Sequence, residues 1–154
     1  MTRTGDQKSN AKIIAGPPTQ PPVDTEPSLR TLAMPADANA NGDIFGGWLM
    51  SQMDLAGGIH AQHAAQGRVA TVAVDAMHFE QPVKVGDTLS IYCETQRIGR
   101  TSIAIRLQAF ASRLSNGEIV KVTEGLFTFV AIDDAGKPRS VNSKRSSTSQ
   151  TTTG

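Results

Sequence analysis

From Gly47 to near Ala65 the apolar residues Trp48, Leu49, Met53 and Ala56 recur at helical spacing, whereas from Val69 onward apolar and polar residues alternate as they do in half-buried strands. One helix followed by a run of strands restricts the chain to an α+β layout, because the helix must bury its apolar stripe against one face of an antiparallel sheet. Turn residues divide the alternating part into strands at Val69 to Phe79, Thr88 to Gln96, Thr101 to Ser112 and Glu118 to Ile132. A short strand at Leu29 to Met34 completes the sheet. Asn116-Gly117 predicts a type I′ hairpin between the last two strands, since that dipeptide tolerates the two positive φ angles the turn requires. Gly57-Gly58 falls in mid-helix, where each glycine costs about 1 kcal/mol against Ala. The expected compensation is close approach of another backbone.

At 154 residues without an internal repeat, the chain holds one domain. Residues 1–27 mix Pro17-Pro18 and Pro21-Pro22 with polar residues, and the end from Ser140 is almost all Ser, Thr, Lys and Arg. Such compositions bury too little to offset ordering entropy. Disordered tails are therefore expected at 1–27 and 141–154, around a domain at 28–140. A formal net charge of +1 argues against nucleic acid as a partner, because phosphate contacts call for a strongly basic face. No run approaches the roughly 20 apolar residues of a membrane span, and the N-terminus lacks the apolar centre of a secretory signal, so a cytoplasmic location is expected. The single Cys93 excludes a disulfide within the chain, and His60, His63 and His78 lack the spacing of zinc ligands, so no metal is expected.

The run from Asn39 to Asp54 carries the candidate chemistry. A polar turn, Asn39-Ala-Asn-Gly42, leads to Gly46-Gly47 and the start of the helix. The first amides of a helix have no partner within it and its dipole is positive there, so this terminus suits a carbonyl oxygen that gains negative charge. Asp54, two turns further on, is the only acid between Asp43 and Asp75 and has Met50, Met53, Leu55 and Gly58 around it. Most helical carboxylates are solvated charges. One partly removed from water is instead suited to general-base work. Asn39 likewise has a plain reading as turn chemistry.

The segment from Ile44 to Asp54 resembles the signature of the YciA-type acyl-CoA thioesterases, a branch of the hotdog-fold family. The likeness extends through Leu29-Arg-Thr-Leu-Ala-Met-Pro35, Gly67-Arg-Val-Ala-Thr71, Phe79-Glu-Gln-Pro-Val-Lys-Val-Gly-Asp87 and Val130-Ala-Ile-Asp-Asp-Ala-Gly-Lys-Pro-Arg139. The resemblance implies a sheet wrapped around one central helix, with two such domains joined into a continuous sheet and dimers grouped in threes. It implies hydrolysis of acyl-CoA to a free acid and coenzyme A, with no cofactor beyond the coenzyme A of the substrate. Asp54 takes the family's place for the catalytic acid, as general base or as nucleophile, and Asn39 the place of an amide that orients water or the thioester carbonyl. The resemblance also implies that Gly47, with Gly46 beside it, supplies the oxyanion N–H. Coenzyme A also needs basic groups near the cleft mouth, for which Arg68 after Gly67 and Arg100-Thr101-Ser102 after Gly99 are the candidates, ahead of Lys84 and Arg97. His78 departs from the family pattern, where a smaller polar residue is usual. Two rivals remain at this stage: a hotdog domain that senses acyl-CoA without cleaving it, and a dehydratase or hydratase of acyl thioesters, which would place a His where Asp54 stands.

Helix geometry adds one expectation. Asp54 is seven residues beyond Gly47, or about 10 Å at 1.5 Å per residue, too far for one thioester to touch both. Each site is expected to draw on two chains.

Overall fold

A computed structural model describes residues 18–143. Of the tails expected at 1–27 and 141–154, residues 1–17 and 144–154 lie outside the described residues. In chain order the elements are β1 (Leu29–Leu32), a 3₁₀ turn (Pro35–Asp37), α1 (Gly46–Ala65), β2 (Val69–Phe79), β3 (Thr88–Ile98), β4 (Ser102–Ser112) and β5 (Ile119–Ala131). The strands form one antiparallel sheet in the order β1-β3-β4-β5-β2, and α1 packs against all of them. β2, the strand that follows the helix, thus lies at the far edge beside β5. The α+β architecture with a central helix is the one the sequence pattern requires.

Two periodicities meet in the core. Alternate residues of β4, Ile103, Ile105, Leu107, Ala109 and Ala111, are fully buried, as are Phe127 and Phe129 of β5. Against them lie Leu49, Met53, Ala56, Ala61 and Ala65, which repeat every three to five residues along α1. β4 is central and is covered on its other face as well, where Phe110 meets Tyr92 edge to face at a centroid separation of 5.8 Å.

Gly57 shows why one glycine is required in mid-helix. A Cβ there would lie 2.8 Å from Phe129 Cζ and 3.3 Å from Leu107 Cδ2. What approaches is therefore an aromatic side chain of the sheet, not the second backbone expected. At Gly58 the nearest atom to an added Cβ is Phe129 Cε1 at 3.9 Å, so the chain itself leaves room for a methyl group.

The hairpin between β4 and β5 also differs from expectation. Gly117 has φ of 70° but Asn116 does not have positive φ, so the turn is not type I′. Arg113 N–H donates to Glu118 O at 2.8 Å and Gly117 N–H to Arg113 O at 2.9 Å, closing a four-residue loop in which only the last residue is left-handed. The Asn116 side chain instead accepts the Glu118 N–H at 2.9 Å.

The end of the helix is held from the other end of the domain. Gln66 is left-handed with φ of 50°, and Arg139 Nη2 donates to Ala65 O at 2.8 Å. The same guanidinium reaches Ile132 O, Ser140 O and Ser143 O. A cation that donates to the last carbonyls of a helix is favoured by the dipole. A Cβ on Gly67 would lie 2.6 Å from Arg139 Nη2, so glycine keeps that path open. Val141 then packs into the core at 5% exposure, with its N–H on Arg100 O at 2.9 Å. The domain therefore runs past the boundary expected at residue 140.

On the sheet face away from α1, a register shift between Ala109 and Phe110 inserts Val122 as an extra residue in β5. Lys121 and Glu124 consequently share a face, which residues three apart in a regular strand do not. Lys121 Nζ donates to Glu124 Oε2 at 2.7 Å and Arg106 Nη2 donates to the same oxygen at 3.0 Å. Burial pushes the Glu124 carboxyl upward, but the hydrogen bonds and charges of Lys121 and Arg106 outweigh it and hold the pKa below its ordinary value. A carboxyl depressed in this way stabilises the fold above its unfolded pKa of about 4.3, and the contribution fades as pH falls through the folded value.

Two stability predictions follow from these contacts. Gly57→Ala should lower the melting temperature, because overpacking costs about 1–3 kcal/mol and exceeds the gain of about 1 kcal/mol in helix propensity. Gly58→Ala, measured at the same protein concentration, should leave the melting temperature unchanged or raise it. Glu124→Gln should melt below wild type at pH 7, and titration toward acid should narrow the gap as the wild-type carboxylate is protonated.

Candidate active site

The turn before α1 uses half of the Asn39 side chain. Its Oδ1 accepts the N–H groups of Asn41 at 2.9 Å and Asp43 at 3.1 Å. The turn also carries Gly42 with φ of 82°. The amide nitrogen of Asn39 has no partner among the described residues, so the side chain serves the turn with its oxygen and keeps two N–H groups to donate. The plain and the functional readings of Asn39 are compatible.

α1 begins at Gly46, one residue earlier than the sequence spacing indicated, after Phe45 in an extended conformation with no side-chain cap. The N–H groups of Gly46 and Gly47 have no acceptor among the described residues, and no acid occupies the first turn. A Cβ on Gly47 would meet nothing within 4 Å, and Gly47 does not have positive φ. Neither strain nor packing within the chain requires glycine at this position. A bare, unpaired helix N-terminus is what an approaching carbonyl oxygen needs. Beside it, Ile44, Phe45, Leu49, Phe79 and Val83 line a cavity of about 320 Å³.

Asp54 is half-buried on the same helix, and Thr71 Oγ1 of β2 donates to its Oδ1 at 2.5 Å. Among the described residues this is its only hydrogen bond, which holds one carboxylate oxygen and leaves Oδ2 available. Asp54 heads a second cavity of about 230 Å³ between α1, the start of β2 and Phe129. Thr71 was not singled out from the sequence. Threonine is ordinary in strands, and only the register, which pairs Thr71 with the inward-facing Phe129, turns its hydroxyl toward the helix.

Within one chain, Asp54 and the Gly46–Gly47 amides do not meet. The two cavities share no lining residue. Over eight residues of helix the separation is about 12 Å.

Arg68 and the Arg100–Ser102 turn come to one end of the sheet, flanking β5: Ile132 N–H donates to Arg68 O at 3.0 Å and Ala131 N–H to Thr101 O at 2.8 Å. Both arginines are exposed. Arg68 Nη1 rests on the carbonyls of Asp133 at 3.3 Å and Asp134 at 3.2 Å, while among the described residues Arg100 is bound only through its backbone. Ser102 opens β4, and its carbonyl closes the turn by accepting the Gly99 N–H at 2.8 Å. Among the histidines, His60 Nε2 pairs with Thr95 Oγ1 at 2.8 Å and ties α1 to β3. Burial, and then the neighbouring His63, lower its pKa. His78 is exposed on the edge strand β2, next to a bulge in which Ala76 has φ of 50°.

Comparison with known proteins agrees with this geometry. Residues 41–116 match the model of the thioesterase superfamily. The acyl-CoA thioester hydrolase YciA of Escherichia coli is 52% identical over 116 residues, covering 73% of this chain and 88% of that protein. The crystal structure of a hexameric thioesterase from Yersinia pestis superposes with a TM-score of 0.74 at 55% identity, over 78% of this chain and 98% of that one. A hexameric hotdog fold thioesterase of Campylobacter jejuni gives a TM-score of 0.72 at 40% identity, over 75% of this chain and 90% of that one. Likeness of this degree, on the same helix-and-sheet architecture and across most of each relative, places the chain in the YciA family of hotdog-fold acyl-CoA thioesterases.

Proposed function

We propose that this chain hydrolyses acyl-CoA to a free carboxylic acid and coenzyme A, in sites each shared by two chains. The carrying observation is that the free N–H groups at the start of α1 and the oriented carboxylate in its middle open onto separate cavities of one chain. Two further features support pairing. Met50, Leu55 and Ile59 put apolar surface on the exposed side of α1, beside the polar Ser51, Gln62 and His63, and a second copy would cover it. β2 is an edge strand with Val72, Val74 and Phe79 exposed, a ready template for a second copy. A two-fold axis at that edge sets the Asn39–Gly47 end of one chain against Asp54 of the other and makes two equal sites. The hexameric relatives support a trimer of such dimers.

In the proposed reaction the thioester oxygen accepts hydrogen bonds from the Gly47 N–H, with Gly46 beside it, and the Asn39 amide orients the carbonyl or the water. Asp54 then acts in one of two ways. As base, it takes a proton on Oδ2 while the water oxygen bonds to the acyl carbon; the C–S bond breaks and the proton passes to the departing thiolate. As nucleophile, its Oδ2 bonds to the acyl carbon while the C–S bond breaks and the coenzyme A thiolate leaves; water then opens the resulting acyl anhydride, which restores the carboxylate, frees the acid and supplies the proton that the thiolate takes up. Thr71 fixes the carboxylate for either route. Arg68, Arg100, Thr101 and Ser102 are assigned to the phosphates of coenzyme A, a role supported by their position at one end of the sheet. The steps use the substrate, water, and side-chain and backbone groups of the chain. No helix among the described residues is long and apolar enough to cross a membrane.

A thiol-release assay on the purified protein separates hydrolysis from mere sensing of acyl-CoA. Asp54→Asn should keep the fold and the affinity for acyl-CoA while turnover falls at least about a hundredfold, the scale of lost acid–base catalysis. Thr71→Val should cost about ten- to hundredfold through the lost charge-assisted hydrogen bond. Near-normal turnover in Asp54→Asn would remove that residue from the mechanism.

Shared sites predict complementation. Asn39→Ala and Asp54→Ala, each nearly inactive, should recover about a quarter of wild-type activity when unfolded and refolded together, because half the dimers are then mixed and each mixed dimer has one intact site. Recovery no greater than the sum of the two variants, with mixed dimers confirmed by mass, would place both residues in one chain's site.

A further inference from the structure

We infer that the groove running along α1 from Asp54 over Gly58 to Gln62 receives the acyl chain of the substrate, and that Gly58 sets the chain length it admits. This rests on the thioesterase reading above and names the part of the substrate that this groove takes.

The contrast between adjacent glycines carries the argument. Gly57 is required by Phe129 and Leu107, but Gly58 has space for a methyl group in its own chain and does not have positive φ. A glycine retained in mid-helix at a cost in stability, with no demand from its own chain, is explained by something else that approaches the backbone. Gly58 is one turn beyond Asp54, hence on the same face, and lines the same cavity. The walls beside it are Leu55, Ile59, Val69 and Phe129. Leu55 and Ile59 are 55% and 45% exposed, apolar surface that the single chain does not use.

The chemistry of these walls separates the two arms of an acyl-CoA. A pantetheine arm carries two amides that would lose water here without finding partners, which is costly. A hydrocarbon chain loses nothing. Polar side chains line only the ends of the groove, Asp54 and Thr71 at its head and Gln62 at its far end. Along the helix axis Gly58 is about 6 Å and Gln62 about 12 Å from Asp54. An extended hydrocarbon advances roughly 1.2–1.3 Å per carbon, given C–C bonds of about 1.5 Å. Gly58 therefore meets the chain about five carbons from the carbonyl, and Gln62 ends the groove about nine to ten carbons out.

The test uses the full-length protein and Gly58→Val, with acetyl-CoA and octanoyl-CoA as substrates. The two-carbon acyl group stops short of Gly58 and the eight-carbon group passes it. The ratio of kcat/KM for octanoyl-CoA over acetyl-CoA should fall at least about tenfold, the scale of a few misplaced methylenes. Gly58→Ala should shift the ratio in the same direction by less, with the oligomer intact by sedimentation. Titrating the same two ligands into Asp54→Asn, with and without Gly58→Val, reads the groove apart from turnover, and only the octanoyl affinity should drop. An unchanged ratio, an equal loss for both acyl groups, or dissociation of the oligomer in Gly58→Ala would overturn the inference. Failure of the wild type to release thiol from any acyl-CoA would instead sink the thioesterase reading, and the titration would still decide what the groove holds.

Discussion

A single helix laid on a single sheet can bury only the side that faces the sheet. That limit governs this domain. Leu49, Met53, Ala56, Gly57 and Ala61 satisfy the sheet, and Met50, Leu55 and Ile59 remain apolar on the side left open. Asp54 stands between the two sides, half-buried, where a second surface would close over it. The chemistry is thus at the margin of the core, where a carboxylate can be oriented by the fold and still be reached by water and substrate.

Three glycines of α1 carry three different meanings, separable only by what surrounds them. Gly57 makes room for Phe129 and Leu107, whereas Gly47 faces open space and Gly58 would hold a Cβ at ordinary contact distance, 3.9 Å, from Phe129. The fold explains the first. The other two lie on the surfaces where substrate and second chain are expected, one at the free amides and one a turn past the carboxylate. Where a residue is costly and its own chain gives no reason for it, the reason lies in a ligand or a partner.

The extent of α1 and of β2 was legible because periodicity reports which face of an element is buried, and here the two periods change abruptly at Gly67. The turn at Asn116-Gly117 was legible as a turn but not as a type, since the length of the closing loop is set by where β4 and β5 pair. Asp54 and Asn39 stood out through their place in a recognisable motif, and helix rise alone separated Asp54 from the N-terminal amides. Thr71 did not stand out. Its role depends on the register of β2 against β5, a long-range property that no local pattern carries. Arg139 was likewise hidden, because a clasp between residues 74 apart leaves no mark in either neighbourhood.

That clasp has a consequence for how the domain is made. During synthesis α1 emerges long before β5, and β2 leaves with no neighbour, since its partner in the sheet is the last strand. The carbonyl at the end of α1 waits on Arg139 and the core on Val141. Contacts so distant in sequence close slowly, because loop entropy must be overcome before they contribute. The helix can meet β1, β3 and β4 as they leave the ribosome, but its C-terminal clasp and the pairing of β2 with β5 close only at the end. Until the final strand arrives, the apolar edge of β2 is exposed, and the same edge that supports pairing of finished copies is open to premature association between unfinished ones.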